Sequence, residues 1–417
     1  MKVAQLVIYR KLKYQELLSD MEALLSCEQA SEEESSRLAG QLVELADHYG
    51  LEGNLWHSFL ALCLANHENA FSTACEIRGE VSGSVNALAR HDFQILMELF
   101  QMDIKKLGGI WEFLSAYEQA NDDSKVFNKR IRNRMMELAA ALEAAKTVEV
   151  FKAAVTEFYR EFGVGKFGLN KAFRVLDAKE PIVIEPITNV EHVYLDDLVG
   201  YESQKRKLVE NTEAFIEGRA ANNCLLFGDS GTGKSSSIKA ILNTYYERGL
   251  RMIEIYKHQF RCLSDVIEQV KDRNYKFIIY MDDLSFEESE LEYKYLKAII
   301  EGGLGKRPQN VLIYATSNRR HLIREKFSDK RELDDELHMN DTVQEKLSLA
   351  ARFGVTIYFG MPNKTEFQKI VLELAKRRGI AIAEDELLLL ANQWELHHGG
   401  MSGRSAEQFI IWLQGRA

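Results

Sequence analysis

NNCLLFGDSGTGKSSSIKAILNTYYE, residues 222–247, runs an apolar segment into a helix through a glycine-rich turn. Gly228 to Ser235 matches G-x-x-x-x-G-K-[ST] in full, after the strand-like Cys224 to Phe227 and before a helix opening at Lys234. Strand, loop and helix together are the context this motif requires. The glycines let the backbone curl so that its N–H groups face phosphate oxygens, and the helix N-terminus adds a favourable dipole. Phosphate contacts are expected along the whole loop: Gly228, Asp229, Ser230, Gly231, Thr232, Gly233, Lys234, Ser235 and Ser236. Lys234 places a point charge near the outer phosphates, and Ser235 offers a hydroxyl to Mg²⁺. A chance glycine-rich turn is the alternative.

A phosphate loop needs a metal-orienting acid at the end of another strand. FIIYMDDLSF, residues 277–286, supplies one roughly fifty residues further on. Asp282 is expected to hold Mg²⁺ and Asp283 to polarise the attacking water. NVLIYATSN, residues 310–318, ends a third strand in Asn318, whose amide can orient that water. EKLSLAARFG carries Arg352 just before another strand, and GGMSGRSAEQF puts Arg404 in the first turn of a helix. A guanidinium fork suits phosphate oxygens and can neutralise transition-state charge. Each arginine alone is more often a surface ion-pair partner, and paired acids at a strand end also occur in plain turns.

Working outward, NNCLLF, RMIEIY, KFIIYM, NVLIYA and VTIYF alternate with helix-like segments from Leu198 to Pro362. That alternation predicts a parallel sheet covered on both faces. Beyond Pro362 the chain reads as helical. All four prolines lie after residue 180, and helical stripes such as Leu38, Leu42, Leu45 and Tyr49, with Gly50 as C-cap, run through the first 165 residues. The expected organisation is an all-helical domain over 1–165, a linker over 166–197, an α/β core over 198–362 and a helical lid over 363–417. GVGKFG, residues 163–168, reads as a helix-terminating turn, and PIVIEPI, residues 181–187, as an extended linker or edge strand.

The net charge of -10 gives nucleic-acid binding no support. Lys205, Arg206 and Lys207 form a small basic cluster, read as an exposed helix face. The five cysteines form no C-x-x-C pair and read as buried free thiols of a reducing compartment. His397 and His398 are adjacent but have no ligand-like neighbours, so a satisfied pair is the expectation. The apolar run at the start breaks at Arg10, and no stretch reaches the roughly 18 apolar residues of a bilayer span, so a cytoplasmic location is expected.

With these motifs in order, the sequence resembles the AAA+ P-loop ATPase superfamily. GDSGTGKS, YMDD, Asn318, Arg352 and Gly403-Arg404 follow its order, and DDLVGYE, residues 196–202, looks like the segment before its first helix. More closely, ANNCLLFGDSGTGKSSSIKA, DDLSFEE, VLIYATSNRRHL, EKLSLAARFG and GGMSGRSAEQF look like an uncharacterised bacterial family. It carries a domain of unknown function with an ATP-binding AAA+ core. The resemblance covers about residues 175–417. It implies a five-stranded parallel sheet of order 5-1-4-3-2 with a C-terminal helical lid, ATP and Mg²⁺ as cofactors, and a homo-oligomer. It also implies that Val199, Gly200 and Tyr201 wrap the adenine, that Arg404 acts in cis and that Arg352 acts across a subunit boundary. Most of the superfamily carries Glu where this chain has Asp283, one methylene shorter, and Glu287 or Glu288 could contribute instead.

Three functions remain in view at this point. One is ATP hydrolysis coupled to remodelling or loading a macromolecular partner, with the helical domain or residues 319–345 touching it. A second is a slowly hydrolysing ATP-dependent switch or scaffold. A small-molecule kinase is the third, and it fits the strand-tip amide and the lid arginine poorly.

Overall fold

The computed structural model describes residues 2–26, 31–79, 81–119, 129–176, 182–286, 290, 292–301, 308–319, 322, 349–398 and 400–416. The chain divides into two units, Met1–Leu169 and Asn170–Ala417.

Apolar residues recurring every three or four positions build the first unit from helices. These are α1 (Gln15–Ser26), α2 (Glu32–Tyr49), α3 (Leu55–Asn66), α4 (Ala70–Arg78), α5 (Ser84–Phe100), α6 (Ile110–Leu114), α7 (Lys129–Glu143), α8 (Val148–Phe162) and α9 (Gly165–Leu169). In α2 the stripe buries Leu38 and Leu42, and Gly50 ends the helix at φ 69° with its N–H on the Ala46 carbonyl. Helix α3 has no polar face: every residue from Leu55 to Ala65 is buried, so it forms the axis of this core. Its neighbours bring Phe93, Phe151 and Tyr159 into the same cluster. Helix α8 stops at Gly163, whose N–H bonds the Tyr159 carbonyl, as expected, but Gly165 to Gly168 belong to α9 rather than to a turn.

A buried carboxylate pins the start of the chain. Asp92 of α5 is fully buried and accepts the N–H groups of Val7, Ile8 and Tyr9 at 2.7–3.0 Å. Asp92→Ala leaves those three amides without that acceptor, an expected cost of about 1–3 kcal/mol. Urea unfolding of the full chain followed by α-helical signal checks this, and an unmoved midpoint would show that the bonds are dispensable.

The second unit is built around a sheet. Its elements are β1 (Ala172–Leu176), β2 (Val183–Ile187), α10 (Glu202–Ile216), β3 (Cys224–Gly228), α11 (Lys234–Tyr245), β4 (Leu250–Glu254), α12 (Leu263–Val270), β5 (Lys276–Met281), α13 (Glu292–Glu301), β6 (Val311–Ser317) and β7 (Val355–Phe359). Helices α14 (Lys364–Arg377), α15 (Glu384–His397) and α16 (Gly403–Gln414) follow. The strand order is β2-β1-β4-β5-β6-β3-β7, parallel throughout except for the β1–β2 pair. The five expected strands, β3 to β7, stand in the expected 5-1-4-3-2 order. From Phe277 to Met281 strand β5 is buried on both faces, as a parallel sheet flanked by helices requires.

The sheet has seven strands rather than five, and residues 166–197 are not a linker. Leu169 ends the helical unit, while β1 and β2 extend the sheet beyond β4. The reason is short-range. Strand β1 is five residues long, with Arg174 interrupting its apolar run, so it carries little periodic signal. Pro186 sits in β2, a sheet-edge strand where a missing N–H costs no ladder bond. Register places Arg174 opposite Glu185, and their side chains pair at 2.9 Å.

Helices α14 to α16 share a core of Phe367, Val371, Ala391, Phe409 and Ile410. Cys63, Cys75, Cys224 and Cys262 are free thiols, and Cys27 lies outside the described residues. The His397 and His398 rings bond the Gln393 and Trp394 carbonyls, and among the described residues no His, Cys, Asp and Glu cluster gathers as a metal site. No helix among those residues is long and apolar enough to cross a membrane.

Candidate functional site

The loop after β3 can turn as it does only because of its glycines. Gly228 has φ 132°, and a Cβ there would stand 2.1 Å from the Phe359 carbonyl oxygen. This close approach lets Asp229 N–H bond that same oxygen at 2.9 Å and sets β7 beside the loop. Gly231 and Gly233 follow at φ 75° and 89°, curling the chain into the start of α11. Gly228→Ala is expected to destabilise the second unit by about 3 kcal/mol, because strain and backbone collision add. Equilibrium denaturation reads this directly, and a wild-type midpoint would refute the close-packing argument.

Lys234, the first residue of α11, is buried against the loop it follows. Its Nζ donates to the Gly228 and Asp229 carbonyls at 2.9 and 2.6 Å and to Asn318 Oδ1 at 3.0 Å. Burial pulls the Lys234 ammonium below its ordinary pKa, the charges of Asp229, Asp283 and Asp282 act against that, and Arg404 adds repulsion. Ser235 Oγ donates to Asp282 Oδ1 at 2.6 Å. Burial by itself would raise the Asp282 carboxyl. Hydrogen bonds from Ser235 and Thr316, with the charge of Lys239, outweigh it and hold the group below the usual aspartate value.

Asp283 follows with φ 49°, one of two non-glycine residues with positive φ among those described. Asn318 Nδ2 donates to its Oδ1 at 2.8 Å, so Asn318 bridges Lys234 and Asp283. Ser235 and Asp282 suit a small hard cation, which takes one or two protein oxygens and completes its shell with water and phosphate.

These groups open onto a cavity of about 530 Å³, a volume in the range of small-ligand sites. Ser230, Gly231, Thr232, Gly233 and Ser236 line its polar end beside Lys234, Ser235, Asp282, Asp283 and Asn318. Arg404 reaches the same cavity from α16, where its N–H bonds the Gly231 carbonyl at 3.1 Å. Val199 and Tyr201 also line it, and Gly200, at φ 82°, makes the turn between them.

Some expected residues stand elsewhere. Gly228 and Asp229 shape the loop from behind. Asp229 Oδ2 accepts the Met361 N–H at 2.8 Å, which ties the loop to the chain leaving β7. Arg352 does not line the cavity of its own chain; it lies in the turn three residues before β7. Glu287 and Glu288 fall outside the described residues, as does nearly all of 319–345.

Other residues join the site without having been foreseen. Val193, Leu198, Ile370 and Leu374 add apolar side chains to its lining. Ile370 and Leu374 come from α14, spaced i, i+4 like any core stripe, so nothing local marks them. Lys205 is not on an exposed helix face. It is buried, lines the cavity, and donates to the Leu198 carbonyl at 2.6 Å and to Glu202 at 2.7 Å. Arg206 and Lys207 are exposed, as expected.

A phosphate loop, a strand-end acid pair, a strand-tip amide, a lid arginine and the 5-1-4-3-2 strand order define an AAA+ P-loop nucleotide-binding module. Residues 169–417 match the family described as "Protein of unknown function (DUF815)", and the chain belongs to it. No curated protein matches the chain. Among solved structures it is similar to two Thermotoga maritima RuvB variants. They are 15% and 16% identical with TM-scores of 0.36 and 0.37; each aligns with 52% of this chain, over 63% and 64% of their own. The T. maritima "RuvB Holliday junction branch migration motor" is 13% identical with a TM-score of 0.32, over 54% of this chain and 71% of its own. The chain thus spans less than two thirds of the length of the first two.

Proposed function

We propose that this protein binds ATP with Mg²⁺, hydrolyses it to ADP and phosphate, and couples turnover to remodelling or loading a macromolecular partner. The observation that carries the reading is the continuous set of bonds from Lys234 through Asn318 to Asp283, beside the Ser235–Asp282 pair. It supports a reading in which the Lys234 ammonium, the Asn318 amide and the Asp283 carboxylate act together around one point at a helix N-terminus. The bound metal supplies charge neutralisation on the phosphates. Lys234 and the loop amides hold the outer phosphates, and Arg404 approaches them from the lid in cis. Asn318 orients the water and Asp283 accepts its proton as the water oxygen bonds the γ-phosphorus and ADP leaves. Apolar Val199, Leu198, Ile370 and Leu374 suit the adenine. The helical unit, over 1–165 in the sequence reading, is the part we assign to the partner, and we infer a homo-oligomer.

A slowly hydrolysing switch is favoured by one feature. Asp283 is short, and its carboxylate is already engaged by Asn318. Steady-state ATP hydrolysis across a protein concentration series, with mass measured alongside, separates the two. Turnover per subunit that rises with assembly supports the coupled ATPase. Tight binding with negligible turnover at every concentration supports the switch, and no binding of Mg-ATP sinks both.

A further inference from the structure

Strands β5 and β6 run side by side with Met281 opposite Ala315, so the next residues, Asp282 and Thr316, meet at the strand tips. Thr316 Oγ1 donates to Asp282 Oδ1 at 2.6 Å and accepts the Asp283 N–H at 2.9 Å. Ser235 bonds Asp282 and Asn318 bonds Asp283, whereas Thr316 bonds both acids. Thr316 is only 2% exposed, so these bonds do not compete with bulk water. Asp283 needs such a partner, because its φ of 49° is a backbone state that L residues adopt at a cost. The Leu284 N–H bonds the Thr316 carbonyl at 2.7 Å, so one residue of β6 holds three consecutive residues after β5. Packing does not call for this residue type: valine has the same shape and would fill the space.

We propose that Thr316 is a positioning residue whose hydroxyl orients the Asp282 carboxylate and fixes the left-handed turn that aims Asp283 at the phosphate loop. This rests on the nucleotide-site reading above. A hydrogen bond to an ionised carboxylate is among the stronger kinds, and it fixes which way the carboxylate oxygens point. Partners that orient an acid at a metal site matter nearly as much as the acid itself.

The test compares the full-length protein with Thr316→Val and Thr316→Ser. Affinity for a fluorescent ATP analogue is titrated without metal and against Mg²⁺, and kcat and KM are measured in parallel. Thr316→Val should leave metal-free affinity unchanged while raising the Mg²⁺ needed for half-saturation and lowering kcat, each by about tenfold or more. Thr316→Ser, which keeps the hydroxyl, should restore both. Wild-type Mg²⁺ dependence and kcat in Thr316→Val overturn the proposal. So does a serine variant as defective as the valine one, since the methyl group would then be what matters. Should the valine variant not fold, Thr316→Ala against Thr316→Ser makes the same comparison. If the wild type binds Mg-ATP without hydrolysing it, the ATPase reading fails while the Mg²⁺ titration still decides the role of Thr316. Nucleotide affinity indifferent to Mg²⁺ in the wild type overturns both.

Discussion

Lys234→Ala is expected to lower kcat/KM for ATP by about a thousandfold, the scale of losing a charged donor aimed at developing phosphate charge. Its Nζ meets two loop carbonyls and Asn318, and the loop itself brings only uncharged amides to the phosphates. Alanine removes the charge while keeping the helix start, since it is the best helix former. The fold should therefore survive, and the melting temperature without nucleotide should stay near that of the wild type. Stabilisation by added ATP, present in the wild type through mass action, should vanish. A variant that hydrolyses ATP at the wild-type rate would place the reaction elsewhere in the molecule.

Arg352→Ala is expected to lower kcat by a similar factor, on the order of a thousandfold, with ATP affinity near normal, as for a transition-state arginine supplied in trans. The motivation is geometric. Arg404 lines the cavity of its own chain, and Arg352 does not, although it lies just before β7, which pairs with the phosphate-loop strand. An arginine so placed could serve a neighbouring copy. Mixing gives the sharper test. Arg352→Ala and Lys234→Ala subunits, each inactive alone, should regain turnover together, because a mixed boundary joins an intact Lys234 to an intact Arg352. If mixtures stay as inactive as their parts while assembling normally, the trans role is lost. An equal loss in a strictly monomeric preparation argues the same way.

The phosphate loop could be read from the chain because its chemistry is local. Gly228, Gly231 and Gly233 meet conformational demands within eight residues, and Lys234 and Ser235 stand in the first turn of the helix that follows. Asp282 and Asn318 were legible for a related reason. Each ends an apolar strand, and in a parallel sheet such ends fall on one edge. Strands β3 to β6 announce themselves because burial on both faces demands apolar runs, whereas β7, at the sheet edge, alternates buried and exposed residues.

What the chain could not disclose depends on partners distant in sequence. Strands β1 and β2 became sheet strands only because β4 left a free edge for β1 to pair with. Lys205 read as a surface lysine until the Leu195–Leu198 turn folded over it. Ile370 and Leu374 read as core residues of a lid helix, and only the packing of α14 brings them to the cavity. Thr316 was one more polar residue at a strand end, until register set it beside Asp282 and Asp283. The sequence by itself determined the glycine loop and the strand-end acids of this P-loop fold, because glycine conformations and strand endings are written into short segments. Tertiary structure alone decided which groups hold the acids in place and which apolar residues line the cavity, because those contacts arise only when separate strands and helices pack.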